Sequence, residues 1–168
     1  MLRGLRNIST FPLMHLKIDP TVIHSFKWIN IDRLIHHEKT QDQNQNRLHL
    51  YFKRLQEKGR TPTVPAIIAC AKTYTIIDGH HRASIFKNIQ LKDVPVIFVN
   101  YEHPDIIVKT EREDVDTICK KNIIHAAKTK QKMEPKQTSH EIISLDGTYH
   151  PIVTISPNCS IIMNEYMY

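Results

Sequence analysis

The stretch TIIDGHHRASIF, residues 75–86, places an acid, a glycine, two histidines and an arginine in five consecutive positions. Apolar residues flank this polar group on both sides, with a strand-like run before it and a helix-like pattern after it. The stretch therefore predicts a strand that leads to Asp78 and a helix that begins just after Gly79, where glycine permits a sharp backbone turn. This junction of strand and helix carries more polar chemistry than a structural turn needs.

The residue types at this junction are suited to binding an anion. The first N–H groups of a helix have no partners within the helix, and the helix dipole adds partial positive charge there. Gly79 permits close approach of the backbone to a ligand. His80 and His81 can donate hydrogen bonds, and Arg82 offers a bidentate fork for phosphate or carboxylate oxygens. Asp78 would repel an anion unless it holds a cation, orients a histidine or takes part in proton transfer.

Two other interpretations of the junction stay open. Asp78 can be a helix N-cap, with the histidines at the surface or in an interface. His80 and His81 can also be zinc ligands, although adjacent residues rarely reach one metal and no Cys/His spacing accompanies them. The cluster of five polar residues after a β-rich run favours a binding site.

The residues upstream of the junction predict alternating strands and helices. FKWINIDRLI, residues 26–35, has the pattern of a strand that enters a turn. Residues 40–59 predict a helix, since apolar residues recur at spacings of three and four and Gly59 supplies a stop. Two short strands, 66–69 and 74–77, then lead into the junction through a tight polar connection.

Downstream, residues 81–90 continue the helix, and VPVIFVNY is a buried strand of the kind found in parallel or mixed sheets. Residues 112–130 predict another helix, which Pro135 separates from the last apolar segments of the chain. The whole pattern predicts an α+β fold: a compact single domain with a mixed sheet and flanking helices.

Composition limits the classes of partner and compartment. The 168 residues carry a formal charge of +6, which suits nucleic acid or phosphorylated small molecules. Three widely separated cysteines form no disulfide framework, and no apolar run is long enough for a bilayer. We expect a soluble intracellular protein without membrane contact, cytoplasmic rather than organellar, although the basic N-terminus faintly resembles a transit sequence. DNA binding has only the net charge in its favour.

Two further polar clusters accompany the junction. Glu38, in LIHHEKT, can act as a general base if the fold brings it near the anion site, or it can be a solvated acid at a helix start. His36 and His37 beside it are interpreted as turn residues. PKQTSHE, from residue 135, is either a second anion-binding cluster or an exposed polar loop.

With these clusters in this order, the sequence resembles the ParB/sulfiredoxin-like superfamily, and within it most closely the free serine kinases, which form O-phosphoserine. The match runs over residues 28–101. It contains HHE at 36–38 and the signature DGHHR at 78–82, and the closing motif PKQTSH follows at 135–140. DGHHR is specific for this family where it follows a strand and begins a helix. The other two motifs are weak alone, but their order along the chain relative to DGHHR makes the match stronger.

The resemblance implies a kinase that uses ATP or ADP with Mg²⁺ and phosphorylates a small hydroxyl compound, first of all free L-serine. It implies that Glu38 takes the proton of the acceptor hydroxyl and that Asp78 is the essential aspartate of the signature. The remaining implied site residues bind the nucleotide phosphates (Gly79, His80, His81 and Arg82, with Asp78) or lie over the substrate (Lys136, Thr138 and His140). The resemblance does not identify metal ligands. It implies that the chain consists of a variable leader at 1–20 and a kinase-type domain at 21–168.

Several positions depart from the family. Glu111 stands where the free serine kinases have a tryptophan that forms a wall of the serine site, and Gln137 and Ser139 replace a threonine and an arginine. The stretch between Glu111 and Pro135 is also shorter than the second lobe of longer members, which predicts a compact and more open site. These departures leave the acceptor open.

Other activities in the superfamily fit this chain less well. Sulfiredoxins have a catalytic cysteine in their signature where this chain has His80. ParB proteins add a DNA-binding helical domain, for which the remainder after Tyr101 is too short. The alternative to a kinase is a nucleotide-binding sensor or scaffold without catalysis.

Overall fold

The predicted strands and helices follow one another in the predicted order, and the structure adds strands that the sequence did not predict, among them Thr63–Pro65 and Ile106–Lys109. The computed structural model describes residues 16–110, 113 and 117–161, without the side chains of 42–45. Its elements are β1 Ile23–Asn30, α1 Asp42–Glu57, β2 Thr63–Pro65, β3 Ile67–Cys70, β4 Ile76–Asp78, α2 His80–Asn88, β5 Asp93–Val99, β6 Ile106–Lys109, α3 Lys120–Thr129, β7 Ser139–Ile143, β8 Tyr149–Pro151 and β9 Asn158–Ser160.

A four-stranded sheet in the order β1-β5-β3-β4 forms the centre of the fold. Strands β1 and β5 are antiparallel, β5 and β3 are parallel, and β3 and β4 are antiparallel. The sheet is therefore mixed, as predicted. The antiparallel partner β4 ends at Asp78 and leads directly into α2, which places the DGHHR junction at the edge of this sheet.

Both faces of the sheet are buried, because side chains of β5 alternate between two apolar clusters. Val96 and Phe98 belong to one cluster, together with Phe52 of α1 and Phe86 of α2, whose rings meet edge to face with centroids 6.1 Å apart. Ile97 belongs to the other cluster, on the opposite face. The prediction of a buried strand in a mixed sheet is confirmed.

The second cluster is enclosed by α3 and by a small antiparallel sheet in the order β6-β7-β8. Ile123 of α3, Ile106 of β6 and Ile142 of β7 are fully buried in it. Because β7 begins at Ser139, this packing holds the end of the closing motif against the central sheet.

Two predicted boundaries need correction. The strand predicted at 74–77 begins at Ile76 instead, because Tyr74 has a φ of 58° and its N–H donates to the Cys70 carbonyl across a turn. The helix predicted at 112–130 begins at Lys120, since Cys119 is extended and its N–H donates to the Asn122 side chain as a cap. Glu111 lies outside the described residues.

The N-terminal residues that the structure describes take part in packing. Leu16 and Ile18 lie against the second cluster, and the Lys17 carbonyl accepts a hydrogen bond from the N–H of Leu145. Residues 1–15 lie outside the described residues, so the division into a leader at 1–20 and a domain at 21–168 stays a prediction.

Candidate functional site

The three polar motifs of the sequence meet around one cavity of about 330 Å³. They come from distant parts of the chain, and the lining includes Glu38 of the first motif and all five residues of DGHHR. The closing motif contributes Thr138, Ser139 and His140. The size is within the range of small-molecule sites, and the convergence of the motifs marks this cavity as the candidate site.

Glu38 reaches the cavity because its segment is bound on both sides by backbone hydrogen bonds. On one side, the N–H of Ile35 donates to the Tyr74 carbonyl over 3.0 Å, which ties the segment to the strand before DGHHR. On the other side, Glu38 forms an isolated bridge with Met133, just before the closing motif. This segment therefore links the other two motifs and is held by both.

The carboxylate of Glu38 is bound by the closing motif. Its Oε1 accepts from the backbone N–H of Lys136 over 3.0 Å, and its Oε2 accepts from the Thr138 hydroxyl over 3.1 Å. Only 7% of the residue is exposed. Burial raises the pKa of Glu38, and the hydrogen bonds from Lys136 and Thr138 partly oppose that rise.

The DGHHR junction has the open helix start that the sequence predicts. Gly79 is the N-cap of α2 with a φ of 104°, and no side chain caps the helix. The first backbone hydrogen bond of the helix runs from Ala83 to Gly79, so the N–H groups of the first turn lie beside the cavity without helical acceptors. Such a start favours an anion.

Asp78 and Arg82 form an ion pair across one turn of α2. Nη2 of Arg82 lies 2.5 Å from Oδ2 of Asp78, and Nη1 donates to the Pro65 carbonyl over 2.8 Å. Two of the five guanidinium donors therefore have partners within the protein. Arg82 neutralises Asp78 beside the open start of α2, so the acid at this position need not repel an anion. The prediction that Arg82 also binds phosphate stays a prediction.

His80 points into a buried cluster of histidines. Its Nδ1 lies 3.1 Å from Nδ1 of His36, and its Nε2 lies 3.1 Å from Nδ1 of His37. Burial lowers the pKa of His80 well below its usual value, and it lowers the pKa of His36 and of His37 to about 4. The cluster is therefore uncharged at neutral pH.

The side chain of His81 makes a different contact. Its Nε2 accepts from the backbone N–H of Gln41 over 3.0 Å, so Nδ1 carries the proton of the neutral ring. Burial lowers the pKa of His81. His81 thus joins the helix start to the segment that leads into α1.

The closing motif starts in a tight turn. The N–H of Gln137 donates to the Glu134 carbonyl over 3.1 Å, and Lys136 within this turn has a φ of 60°. This left-handed conformation is unfavourable for a lysine, but it accompanies the backbone bond to Glu38. His140 lies in β7, is buried, and its Nε2 is 2.8 Å from the Tyr101 hydroxyl.

Sequence reasoning missed several residues around the site. His37 is fully buried, so its interpretation as a turn residue left out its contacts with His80. The cavity wall also includes three residues after β7, which carry no recognisable motif: Pro151, Ile152 and Val153. The one signal that the sequence offered for His37 was the pair of adjacent histidines next to Glu38.

Both carboxylates of the cavity have partners within the protein. Asp78 is paired with Arg82, and both oxygens of Glu38 accept hydrogen bonds. Among the described residues, one group has the spacing of metal ligands, namely Asp19, His103 and Asp105, and none of these lines the cavity. We therefore assign no lining residue of the cavity as a metal ligand.

Comparison with curated proteins shows similarity to two proteins named ATP-dependent L-serine kinase. The protein from Desulfurococcus mucosus is 30% identical over 84 residues, which are 49% of this chain and 32% of that protein. The protein from Staphylothermus marinus is 29% identical over 84 residues, with the same shares. The match thus spans about a third of the length of these relatives. A scan against protein-family models finds no match.

Among solved structures, a free serine kinase mutant in complex with ADP superposes with a TM-score of 0.60 at 10% identity. The superposition covers 92% of this chain and 97% of that chain. The chain has the fold of a free serine kinase. The predicted α+β fold and the resemblance to the free serine kinases are confirmed. Of the helices in the described ranges, none is long and apolar enough to cross a membrane.

Proposed function

We propose that the protein is a nucleotide-dependent kinase that phosphorylates the hydroxyl of a small amino acid, with free L-serine as the first candidate acceptor. The observation that carries the proposal is the convergence of Glu38, DGHHR and the closing motif on one cavity. The similarity to proteins named ATP-dependent L-serine kinase supports the same activity. Phosphoryl transfer suits such a site, because it depends mainly on positioning and on stabilisation of charge.

The phosphates of ATP or ADP would bind at the start of α2. The N–H groups of the first turn and the side chain of His81 line the cavity there, and remaining donors of Arg82 can add to them. The nucleotide would enter as its magnesium complex, in which the ion draws charge from the phosphate oxygens. Phosphate oxygens and water would be its ligands, since Asp78 is engaged with Arg82.

Glu38 would act as the general base. Its carboxylate lies on the cavity wall, and two donors of the closing motif fix its orientation. Burial raises its pKa, which makes the ionised form a better proton acceptor for the serine hydroxyl. The oxygen of that hydroxyl would then attack the terminal phosphorus of the nucleotide.

The acceptor would lie in the cavity, beside Glu38 and the closing motif. Lys136 is exposed, so its ammonium can pair with the carboxylate of an amino acid. Thr138 and His140 line the same side of the cavity. Gln137 and Ser139 are uncharged where the family has a threonine and an arginine, so Lys136 is the cation that the motif retains.

A cytoplasmic protein would find ATP and free amino acids together. We therefore propose that the protein is cytoplasmic and that its partners are a nucleotide and a small hydroxyl amino acid, and we do not propose DNA as a partner. The free thiols Cys70, Cys119 and Cys159 suit a reducing environment.

The direct test is product formation by the purified protein. Incubation with Mg²⁺, L-serine and either ATP or ADP should yield O-phosphoserine, detected by ³¹P NMR or mass spectrometry. Threonine and homoserine serve as alternative acceptors in parallel reactions. Absence of product from every hydroxyl amino acid with both donors would contradict the kinase. Nucleotide binding without product would instead favour the sensor or scaffold.

A further inference from the structure

A continuous series of hydrogen-bonding groups leads from Glu38 along the cavity wall to His36. Oε2 of Glu38 is 3.1 Å from the Thr138 hydroxyl, which is also 3.3 Å from Nε2 of His37. Nδ1 of His37 is 3.1 Å from Nε2 of His80, and Nδ1 of His80 is 3.1 Å from Nδ1 of His36. Each separation is within hydrogen-bond range.

The Thr138 hydroxyl has one proton and two neighbours that can accept it. While Glu38 is ionised, the hydroxyl donates to its carboxylate. Once Glu38 is protonated, the carboxyl donates to the Thr138 oxygen, and the hydroxyl is free to donate to Nε2 of His37. Thr138 can therefore satisfy both contacts only when Glu38 carries a proton.

The hydrogen bonds of the histidines define one direction for their protons. The Ile76 carbonyl lies 2.7 Å from Nδ1 of His37, which must donate to it, so Nε2 of His37 is a bare acceptor that faces Thr138. The same Nδ1–H also faces Nε2 of His80, which is then the acceptor. His80 in turn donates from Nδ1 to Nδ1 of His36, and the proton of His36 is on Nε2.

The series begins at a buried group and ends at a half-buried one. Glu38, His37 and His80 are buried, whereas His36 is partly exposed. Since burial keeps all three rings neutral, each has one nitrogen that accepts and one that donates. A neutral ring of this kind can accept a proton on one side while it releases another.

We propose that these groups form a proton relay that returns Glu38 to its ionised form after each phosphoryl transfer, through Thr138, His37, His80 and His36. The proposal rests on the proposed kinase activity. The four residues are positioning residues that act through Glu38, and the relay delivers the proton of the reaction to solvent at His36.

The steps of the reaction balance. The acceptor hydroxyl gives its proton to Glu38 while its oxygen forms a bond to the terminal phosphorus. The bond from that phosphorus to the bridging oxygen breaks, and the electron pair leaves with the nucleotide. Glu38 passes its proton to Thr138 as Thr138 passes its own to Nε2 of His37. His37 and His80 each release a proton from Nδ1 to the next ring, and His36 releases one from Nε2 to water. After one passage each ring carries its proton on its other nitrogen, so the return to the first tautomers, in which Nδ1 of His37 donates to the Ile76 carbonyl, requires each ring to lose one proton to water and take up another before the next turnover.

The test compares Thr138→Val with Thr138→Ser. Valine keeps the shape of threonine and removes the hydroxyl, so kcat should fall at least about tenfold. Serine retains the hydroxyl and should restore most of kcat. If Thr138→Val has the same kcat as the wild type, the relay is wrong and the proposed kinase activity still stands. If the wild-type protein forms no product, the kinase activity is wrong and so is the relay that depends on it.

Two further measurements separate a relay from a structural contact. His36→Ala should lower kcat, and added imidazole should restore kcat with increasing concentration. Such a rescue requires imidazole to replace the missing ring as a proton acceptor, and a packing defect alone would not explain it. In ¹⁵N NMR of the wild-type protein, His37 and His80 should carry their protons on Nδ1. A proton on Nε2 of His37, or no response of His36→Ala to imidazole, would contradict the relay even if Thr138→Val were to lose stability.

Discussion

The guanidinium of Arg82 lies directly over Gly79. A Cβ atom at Gly79 would be 2.9 Å from Nη2 of Arg82 and 3.1 Å from its Nε. The glycine therefore serves two purposes at the start of α2. It adopts a φ of 104°, and it leaves room for the ion pair between Arg82 and Asp78.

Replacement of Gly79 should impair both stability and nucleotide binding. Alanine at positive φ costs roughly 1–2 kcal/mol of stability, and in Gly79→Ala the new methyl group also displaces Arg82. Gly147→Ala is a matched control, since Gly147 has a φ of 83° and no atom within 4 Å of an added Cβ. We expect both variants to lower the melting temperature, and only Gly79→Ala to weaken ADP binding in calorimetry. Equal ADP affinity in the two variants would contradict this account.

Arg82 should be sensitive to a change that keeps its charge. Lysine can reach Asp78 or the Pro65 carbonyl but not both in the present geometry, so Arg82→Lys should cost on the order of 1–2 kcal/mol. Lys87→Ala on the same helix is the control, because Lys87 and its partner Asp32 are largely exposed. That change should cost less than about 0.5 kcal/mol. Chemical denaturation measures the free energy of unfolding of both variants. Equal losses of stability in the two variants would show that the contacts of Arg82 contribute nothing to stability.

Stability should fall as the pH drops from about 6.5 toward 4. Burial lowers the pKa of His36 and of His37 to about 4 and that of His140 to about 3, whereas histidines of the unfolded chain accept protons near their usual pKa. The unfolded state then binds more protons, and each such group removes up to about 1.4 kcal/mol per pH unit. The raised pKa of Glu38 makes the folded protein more stable as the pH falls, but this is the contribution of one group, whereas several histidines lower the stability.

Melting temperatures at a series of pH values test this dependence. His36→Gln should make the loss of stability with falling pH shallower. His125→Gln, at an exposed position on α3, should leave the slope as it is in the wild type. A stability that does not change between pH 6.5 and 4.5 would contradict the neutral histidine cluster.

The variant Lys136→Gly should distinguish the contribution of the Lys136 backbone from that of its side chain. Lys136→Gly keeps the N–H that binds Glu38, relieves the left-handed lysine and removes the ammonium. We expect unchanged or slightly higher stability, by up to about 1 kcal/mol, with a raised KM for serine. Lys130→Gly is the control, since Lys130 has a φ of 58° at the end of α3. A KM for serine that Lys136→Gly leaves unchanged would exclude the ammonium from acceptor binding.

Local patterns were sufficient to predict the parts of the site that depend on local structure. The change from strand to helix at Gly79 follows from the apolar spacing on its two sides, and the structure has both elements. The nearly continuous apolar run along β5 likewise predicted a buried strand, and every residue of β5 after Asp93 is buried. Such features need only neighbours along the chain.

Contacts between distant segments could not be predicted in this way. The partner of Arg82 in β2, Pro65, has no marker in the sequence, and the contact of His80 with His36 joins residues that are 44 positions apart. The pairing of Glu38 with Met133 decides which donors its carboxylate meets. These relationships arise only from tertiary packing, which a residue pattern does not encode.

The most direct test of the account is a comparison of Glu38→Gln with the wild type in two assays, O-phosphoserine formation and ADP binding. Glu57→Gln, at the exposed end of α1, is the control. We predict that Glu38→Gln binds ADP within about threefold of the wild type and loses at least about a hundredfold in turnover, because glutamine cannot accept the hydroxyl proton. Product formation by Glu38→Gln at the rate of the wild type and of Glu57→Gln would contradict the central claim.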